Sequence, residues 1–315
     1  MNAIKRADRS CTWMRATVYW LLTLQAALVV LSMPVFRFTM GGVAMIWVVC
    51  LALLLGFMAL AANLGGLRNL AKLSEAYFLL FSNAVLASFL SVMLAATNRP
   101  YVDAALIAFD RRMFGYSWID CASYVAHLPR VSVGLSVAYS SLSWQPFLLL
   151  GLLHLGGRQR EGEIFVLAWM LATFVATLVF PFFPALGGYL HYGMPPSEAP
   201  NVLARAAWEF EPIIEGARRG TLRSLGEHPI VGLVTFPSFH AAGAIILGWL
   251  WRSVKGGSLF VVLNAGMFLS TVPIGGHYLV DVCAGACLGA LTIGLARRVG
   301  RGSGLEATLS KTAPA

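Results

Sequence analysis

Eight stretches of this chain are each long and apolar enough to cross a bilayer, and that leaves few folds open. They fall at about 17–36, 42–63, 74–97, 131–155, 163–185, 236–253, 257–274 and 278–296. A helical span needs roughly 20 mostly apolar residues, and within lipid only helices or closed barrels satisfy every backbone polar group. Runs of this length predict helices, so the expected fold class is all-α: a polytopic membrane helix bundle of about eight transmembrane helices. Composition agrees. Hydrophobic residues make up 58% of the 315 and charged residues 12%, where a soluble domain carries about 25% charged. The mean hydropathy of +0.73 points the same way.

The formal net charge is +9. In a soluble protein such a surplus suggests nucleic acid. Beside membrane spans, basic residues set orientation and meet anionic lipid, so the expected partner is the bilayer and no nucleic acid. The four basic residues Lys5, Arg6, Arg9 and Arg15 precede the first apolar run, as in a signal peptide. That run reaches Phe36 with no small-residue cleavage site before Arg37, and it reads as an uncleaved span. With the N-terminus inside, each short inner loop is basic: Arg68 and Lys72, Arg158 and Arg160, Arg252 and Lys255, then Arg297, Arg298, Arg301 and Lys311. An even number of spans puts the C-terminus inside as well. The expected location is a multi-pass integral membrane protein, in the inner or plasma membrane if bacterial.

Two long segments fall outside under this orientation. Residues 98–130 hold R-P-Y-V-D-A-A-L-I-A-F-D-R-R, which suits a short interfacial helix with Asp103, Asp110 and Arg111 in salt bridges. Residues 187–235 hold a helix expected from about Asn201, with Gly216 or Gly220 as its stop. Tyr189, His191 and Tyr192 read as an aromatic belt, with the lining of a headgroup pocket as the alternative, Asp120 as solvated, and Asn264 as a polar contact between helices. The five cysteines are odd in number and lack metal-type spacing, so they read as small packed hydrophobes. With no metal-type ligand cluster, no metal or other cofactor is expected.

The chemistry gathers between Thr235 and Asp281. T-F-P-S-F-H opens a span: Pro237 suits the first helical position, Thr235 or Ser238 can cap, and the free N–H groups of a helix start attract an anion. His240 lies in that first turn. G-G-H-Y-L-V-D opens the last span. His277 and Asp281 are four apart, a spacing that puts them on one helix face, and Gly275 and Gly276 let the backbone approach a ligand closely. A carboxylate on one imidazole nitrogen frees the other as a nucleophile, and a carboxylate inside an apolar run is functional by default. Both histidines lie at the outer ends of inward-running spans, hence at one depth. Arg99, Arg218, Arg219 and Arg223 fall on the same side. Two imidazoles, a carboxylate, a helix start and arginines suit attack on phosphorus. The remaining histidines, His127, His154, His191 and His228, read as packed and hydrogen-bonded.

P-S-F-H followed by G-G-H-Y-L-V-D resembles the type-2 phosphatidic acid phosphatase superfamily, whose marks are P-S-G-H and S-R-x5-H-x3-D. The resemblance covers about 73–297. It divides the chain into a basic tail with two added spans (1–72), a six-helix lipid phosphatase/phosphotransferase core (73–300) and a polar C-terminal tail (301–315). The bulky residue after P-S, the H-Y-x-x-D and the R-P-Y-V-D…F-D-R stretch are similar to the branch of the inositol phosphorylceramide synthases. The resemblance implies that His277 forms a phosphohistidine, Asp281 orients it and His240 protonates the leaving group. Ser238 and the neighbouring backbone, including Phe239, would hold phosphate oxygens. Three positions depart from the pattern: Thr271 stands where the S-R arginine belongs, Val92 where a lysine belongs, and Phe239 where P-S-G-H has glycine. Arg218, Arg219 or Arg223 is then the expected substitute cation, and Arg99 is either a phosphate ligand or an interfacial anchor.

The implied donor is a lipid phosphate or phospholipid. The acceptor is water, giving a lipid phosphatase, or a polyol such as inositol, giving a phosphotransferase. A transporter is the reading from another class. It would spread intramembrane polar residues along a path, whereas here they cluster at one end.

Overall fold

The computed structural model describes residues 2–226 and 232–309. Helices occupy all eight apolar runs. Helices α1 (Asn2–Phe36), α2 (Val43–Leu64) and α3 (Arg68–Ala95) come first, followed by the short α4 (Asp103–Phe114) and α5 (Trp118–Ala126). The fourth run is two helices, α6 (Pro129–Ser140) and α7 (Gln145–Leu155), joined by a 3-10 turn at Ser141–Ser143. Pro146 explains the break, because it lacks an N–H to continue the ladder from α6. Then come α8 (Gln159–Val179), the single turn α9 (Gly188–His191), α10 (Ala206–Arg219), α11 (Phe239–Trp251), α12 (Ser258–Ser270) and α13 (Leu279–Leu309).

Five segments are by themselves long and apolar enough to cross a membrane: Trp13–Phe36, Met45–Leu64, Arg68–Ala95, Gln159–Phe182 and Leu279–Gly300. The apolar α7, α11 and α12 are shorter. The protein is an all-α polytopic bundle of the kind the hydropathy demands.

Helices α3 and α8 form its centre, with 67% and 61% of their apolar windows buried, against 6% for α2 on the perimeter. Phe165, Met170, Leu149, Leu247 and Trp251 fill the core between them. Met14 and Val18 of α1 enter that same core, so the first helix packs into the bundle while the second lies along α3. A two-residue parallel pair, Thr39–Met40 with Ser224–Leu225, ties the α1–α2 turn to the segment after α10.

The contact that matters most for the site is between α11 and α13. Gly285 and Gly289 are four apart on α13. A Cβ on Gly285 would sit 2.2 Å from the Ser238 carbonyl oxygen, and one on Gly289 would sit 2.7 Å from that of Ala242. Small residues at this spacing let two helix backbones touch inside a membrane. That close approach brings the starts of α11 and α13 together.

Several sequence expectations change here. Helix α10 begins at Ala206 rather than Asn201, and Gly220 ends it in the left-handed conformation that glycine favours. Cys50, Cys283 and Cys287 are exposed on the bundle surface, not packed inside it. Asn264 does bridge helices, donating to the Gln145 side chain at 2.8 Å. His228 lies outside the described residues. Residues 301–309 continue α13.

Candidate active site

The start of α11 is built by Ser238, not by Pro237. Ser238 is fully buried and is the N-cap, its hydroxyl oxygen accepting from the Ala241 N–H at 3.3 Å. The capping serine satisfies one of the helix's orphan donors, and Pro237 falls one residue before it. His240 follows in the first turn. Its ring stacks on Tyr139 of α6 with centroids 3.8 Å apart and planes 10° apart, so an aromatic face fixes the imidazole's orientation. Phe239, in the glycine position of P-S-G-H, meets Trp169 edge-on at 5.1 Å.

His277 lies two residues before α13, in the loop that leads into it. Its Nδ1 is 3.5 Å from Asp281 Oδ2. Asp281 is 1% exposed, and the same oxygen accepts from the Tyr278 N–H at 3.0 Å. That is the reach-back of a capping-box carboxylate from the first helical turn. Asp281 thus both begins α13 and faces the histidine. The pairing expected from a four-residue helical spacing exists, but a loop and a cap make it.

The two halves are bonded to each other. The Ser238 N–H donates to the Asp281 backbone carbonyl at 3.1 Å. His240 and His277 lie within electrostatic range of one another. The glycines before His277 are in close packing. Gly276, at φ 76°, lies against Tyr189, and its carbonyl accepts from the Gly188 N–H at 2.8 Å. Gly275 has no room for a Cβ beside the Tyr139 ring, 2.6 Å away. Tyr139 is thereby held between His240 and this turn.

Two carboxylates read as interfacial salt bridges prove to be buried parts of the site's frame. Asp110 of α4 is 2% exposed and accepts from the N–H groups of Leu279 at 2.7 Å and Val280 at 3.0 Å, the first two residues of α13. Burial raises its pKa from the ordinary carboxylate range, and the two N–H bonds act against that shift. Asp103 is also 2% exposed. It accepts from the Tyr278 hydroxyl at 2.8 Å and from the N–H groups of Leu186 and Gly187. One short helix therefore fixes Tyr278, Leu279 and Val280, the three residues that follow His277. The seven-residue spacing of Asp103 and Asp110 puts both on one helix face, which was the available signal. Tyr189 is likewise core rather than belt: it is 1% exposed, packs edge-on against Trp118 and donates its hydroxyl to the Pro273 carbonyl.

The four arginines have other partners. Arg99 lies over the Phe182 ring at 4.8 Å. Arg218 lies over Tyr101 at 4.0 Å and donates to the Arg99 carbonyl. Arg219 pairs with Glu215 at 3.1 Å, and Arg223 bonds the Ala217 carbonyl beneath the Phe38 ring. Thr271, at the position where the motif has arginine, is fully buried with its hydroxyl donating to the Phe268 carbonyl at 2.6 Å. A guanidinium would not fit there without displacing that turn.

A model of the PAP2 superfamily matches residues 104–295, which is 192 of the 315. The chain belongs to the PAP2 superfamily. The match runs from the second residue of α4 to residue 295 within α13 and holds every residue of the His240, His277 and Asp281 cluster. PAP2 membership supports an enzyme of the lipid phosphatase or phosphotransferase type, in a multi-pass membrane protein. Neither a search of curated proteins nor one of solved structures found a match.

Proposed function

We propose that this PAP2 protein transfers a phosphoryl group from a membrane lipid phosphate through a histidine intermediate. The observation that carries the reading is the joining of two helix starts. Ser238 N–H bonds to the Asp281 carbonyl, with His240 on one side and the His277–Asp281 pair on the other. His277 attacks phosphorus with Nε2 while Asp281 holds the Nδ1 proton and steadies the imidazolium. The P–O bond to the lipid breaks, and His240 gives its proton to the leaving oxygen. Water or an alcohol then loses a proton to His240 and attacks phosphorus, breaking the P–N bond and restoring His277.

The Ser238 hydroxyl and the first N–H groups of α11, Phe239 among them, would hold phosphate oxygens. Arg99, Arg218, Arg219 and Arg223 remain the candidate cations. Each would have to leave its present partner, so alanine at all of them tests the assignment by its effect on KM. On this reading the site faces outward and both termini lie in the cytoplasm, an orientation that the basic residues of the short loops support. Water as acceptor makes the protein a lipid phosphate phosphatase. An alcohol acceptor makes it a phosphotransferase: a polyol such as inositol would leave as its phosphate ester, whereas a synthase-like reaction carries a phosphate substituted with a polyol headgroup from a phospholipid to the hydroxyl of another lipid. The H-Y-L-V-D motif favours the second.

The test offers purified protein a panel of lipid phosphates and phospholipids, with and without inositol or a lipid alcohol as acceptor, and looks for free phosphate, inositol phosphate or a new phosphodiester lipid. Quenching turnover in alkaline detergent should trap a phosphoprotein that is stable to base and lost on acid treatment. Failure to turn over any donor would end the proposal.

A further inference from the structure

We propose that the groove between α4 and α9 docks the anionic headgroup of a membrane lipid phosphate beside the candidate active site. The groove is open, about 460 Å³ in volume, and lined by Ala104, Ile107, Ala108, Arg111 and Arg112 of α4 with His191 and Tyr192 from across it. Arg111, Arg112 and His191 are exposed. Among the described residues neither arginine's side chain has an ion-pair or hydrogen-bond partner, unlike those of Arg218, Arg219 and Arg223. The last-turn position on α4 accounts for a basic residue by itself. It does not account for a protonatable imidazole brought opposite from a different segment.

The groove's place on α4 ties it to the site. Ala104, Ile107, Ala108 and Arg111 have the i, i+3, i+4, i+7 spacing of one stripe, roughly a quarter turn round the helix from Asp103 and Asp110. The two carboxylates hold the start of α13 and Tyr278. The opposite wall is rigid too, since Tyr192 stacks on Trp118, which donates to the Val272 carbonyl in the turn before His277. Guanidinium groups take phosphate by paired, charge-assisted hydrogen bonds. Beyond Arg112 the exposed face of α4 turns apolar, with Phe109 44% and Met113 63% exposed. A cationic groove bordered by an exposed apolar face fits a phosphate that carries acyl chains better than free phosphate.

The assignment of the bound lipid as substrate rests on the phosphoryl-transfer reading; the binding itself does not. The experiment therefore reads binding alone, in protein carrying His277→Ala and held in phosphatidylcholine nanodiscs. Short-chain phosphatidic acid and inorganic phosphate are titrated separately, with and without Arg111→Gln plus Arg112→Gln. The double substitution is expected to weaken phosphatidic acid binding about tenfold or more, with inorganic phosphate binding far more weakly to both proteins. Unchanged lipid affinity in the double variant overturns the groove. Equal affinity for inorganic phosphate overturns the lipid assignment. Turnover by protein with His277 intact judges the catalytic reading separately.

Discussion

At the end of the bundle that holds His240 and His277, buried carboxylates meet backbone N–H groups; at the other end, carboxylates meet cations. Asp103, Asp110 and Asp281 accept from five backbone N–H groups among them, and from one tyrosine hydroxyl. At the far end Glu75 takes Arg15 and the Tyr19 hydroxyl, Lys72 lies 3.9 Å from Glu163, and Arg158 pairs with Glu161. An exposed or half-exposed ion pair tolerates movement, and its partners are exchangeable. A buried carboxylate on two successive N–H groups fixes where a helix begins. The first arrangement anchors α1 and the inner loops. The second sets the position of the His277 side chain, and among the described residues it is found around His277.

The largest effect should come from the site itself. His277→Ala is expected to lower kcat roughly a thousandfold or more on whichever lipid phosphate is turned over, with the lipid still bound. Residual turnover near the normal rate would remove the reason for the N–H-bonded frame. Next come the frame residues. Asp110→Asn puts an amide N–H against a backbone N–H, and an unsatisfied buried donor costs about 1–3 kcal/mol. The expected result is a kcat about 10- to 100-fold lower with KM little changed, read on the same substrate. Asp103→Asn should behave alike through Tyr278.

Gly285→Ala tests the joint between α11 and α13. Its Cβ has no room beside the Ser238 carbonyl, and overpacking of this kind costs about 1–3 kcal/mol. A lower thermal midpoint together with reduced turnover is expected. Unaltered turnover would mean that helix contact does not hold the histidines together. The smallest effect belongs to the other end. Arg15→Ala should change stability by no more than about 1 kcal/mol and leave turnover alone. An Arg15 variant as inactive as Asp110→Asn would erase the distinction between the two ends.

Some of this protein was decided by its sequence. The apolar runs dictated helices, because lipid offers no other partner for the backbone, and helices stand at all eight. P-S-F-H and G-G-H-Y-L-V-D marked the His240, His277 and Asp281 cluster, because each motif combines a helix start with an imidazole. Tertiary structure decided the rest. Asp103 and Asp110 looked like surface charges because their partners are N–H groups far along the chain, which no local pattern displays. Nothing near the glycines before His277 in the sequence displays that Tyr139, Tyr189 and the 187–188 turn crowd in on them. Tyr139 gave no sign that it would lie against His240, since α6 and α11 meet only through packing. Topology suggested a side for the arginines, but whether a cation is free or already held depends on neighbours from other segments. Sequence fixes what a residue can do chemically; which group it faces is set by how the helices pack.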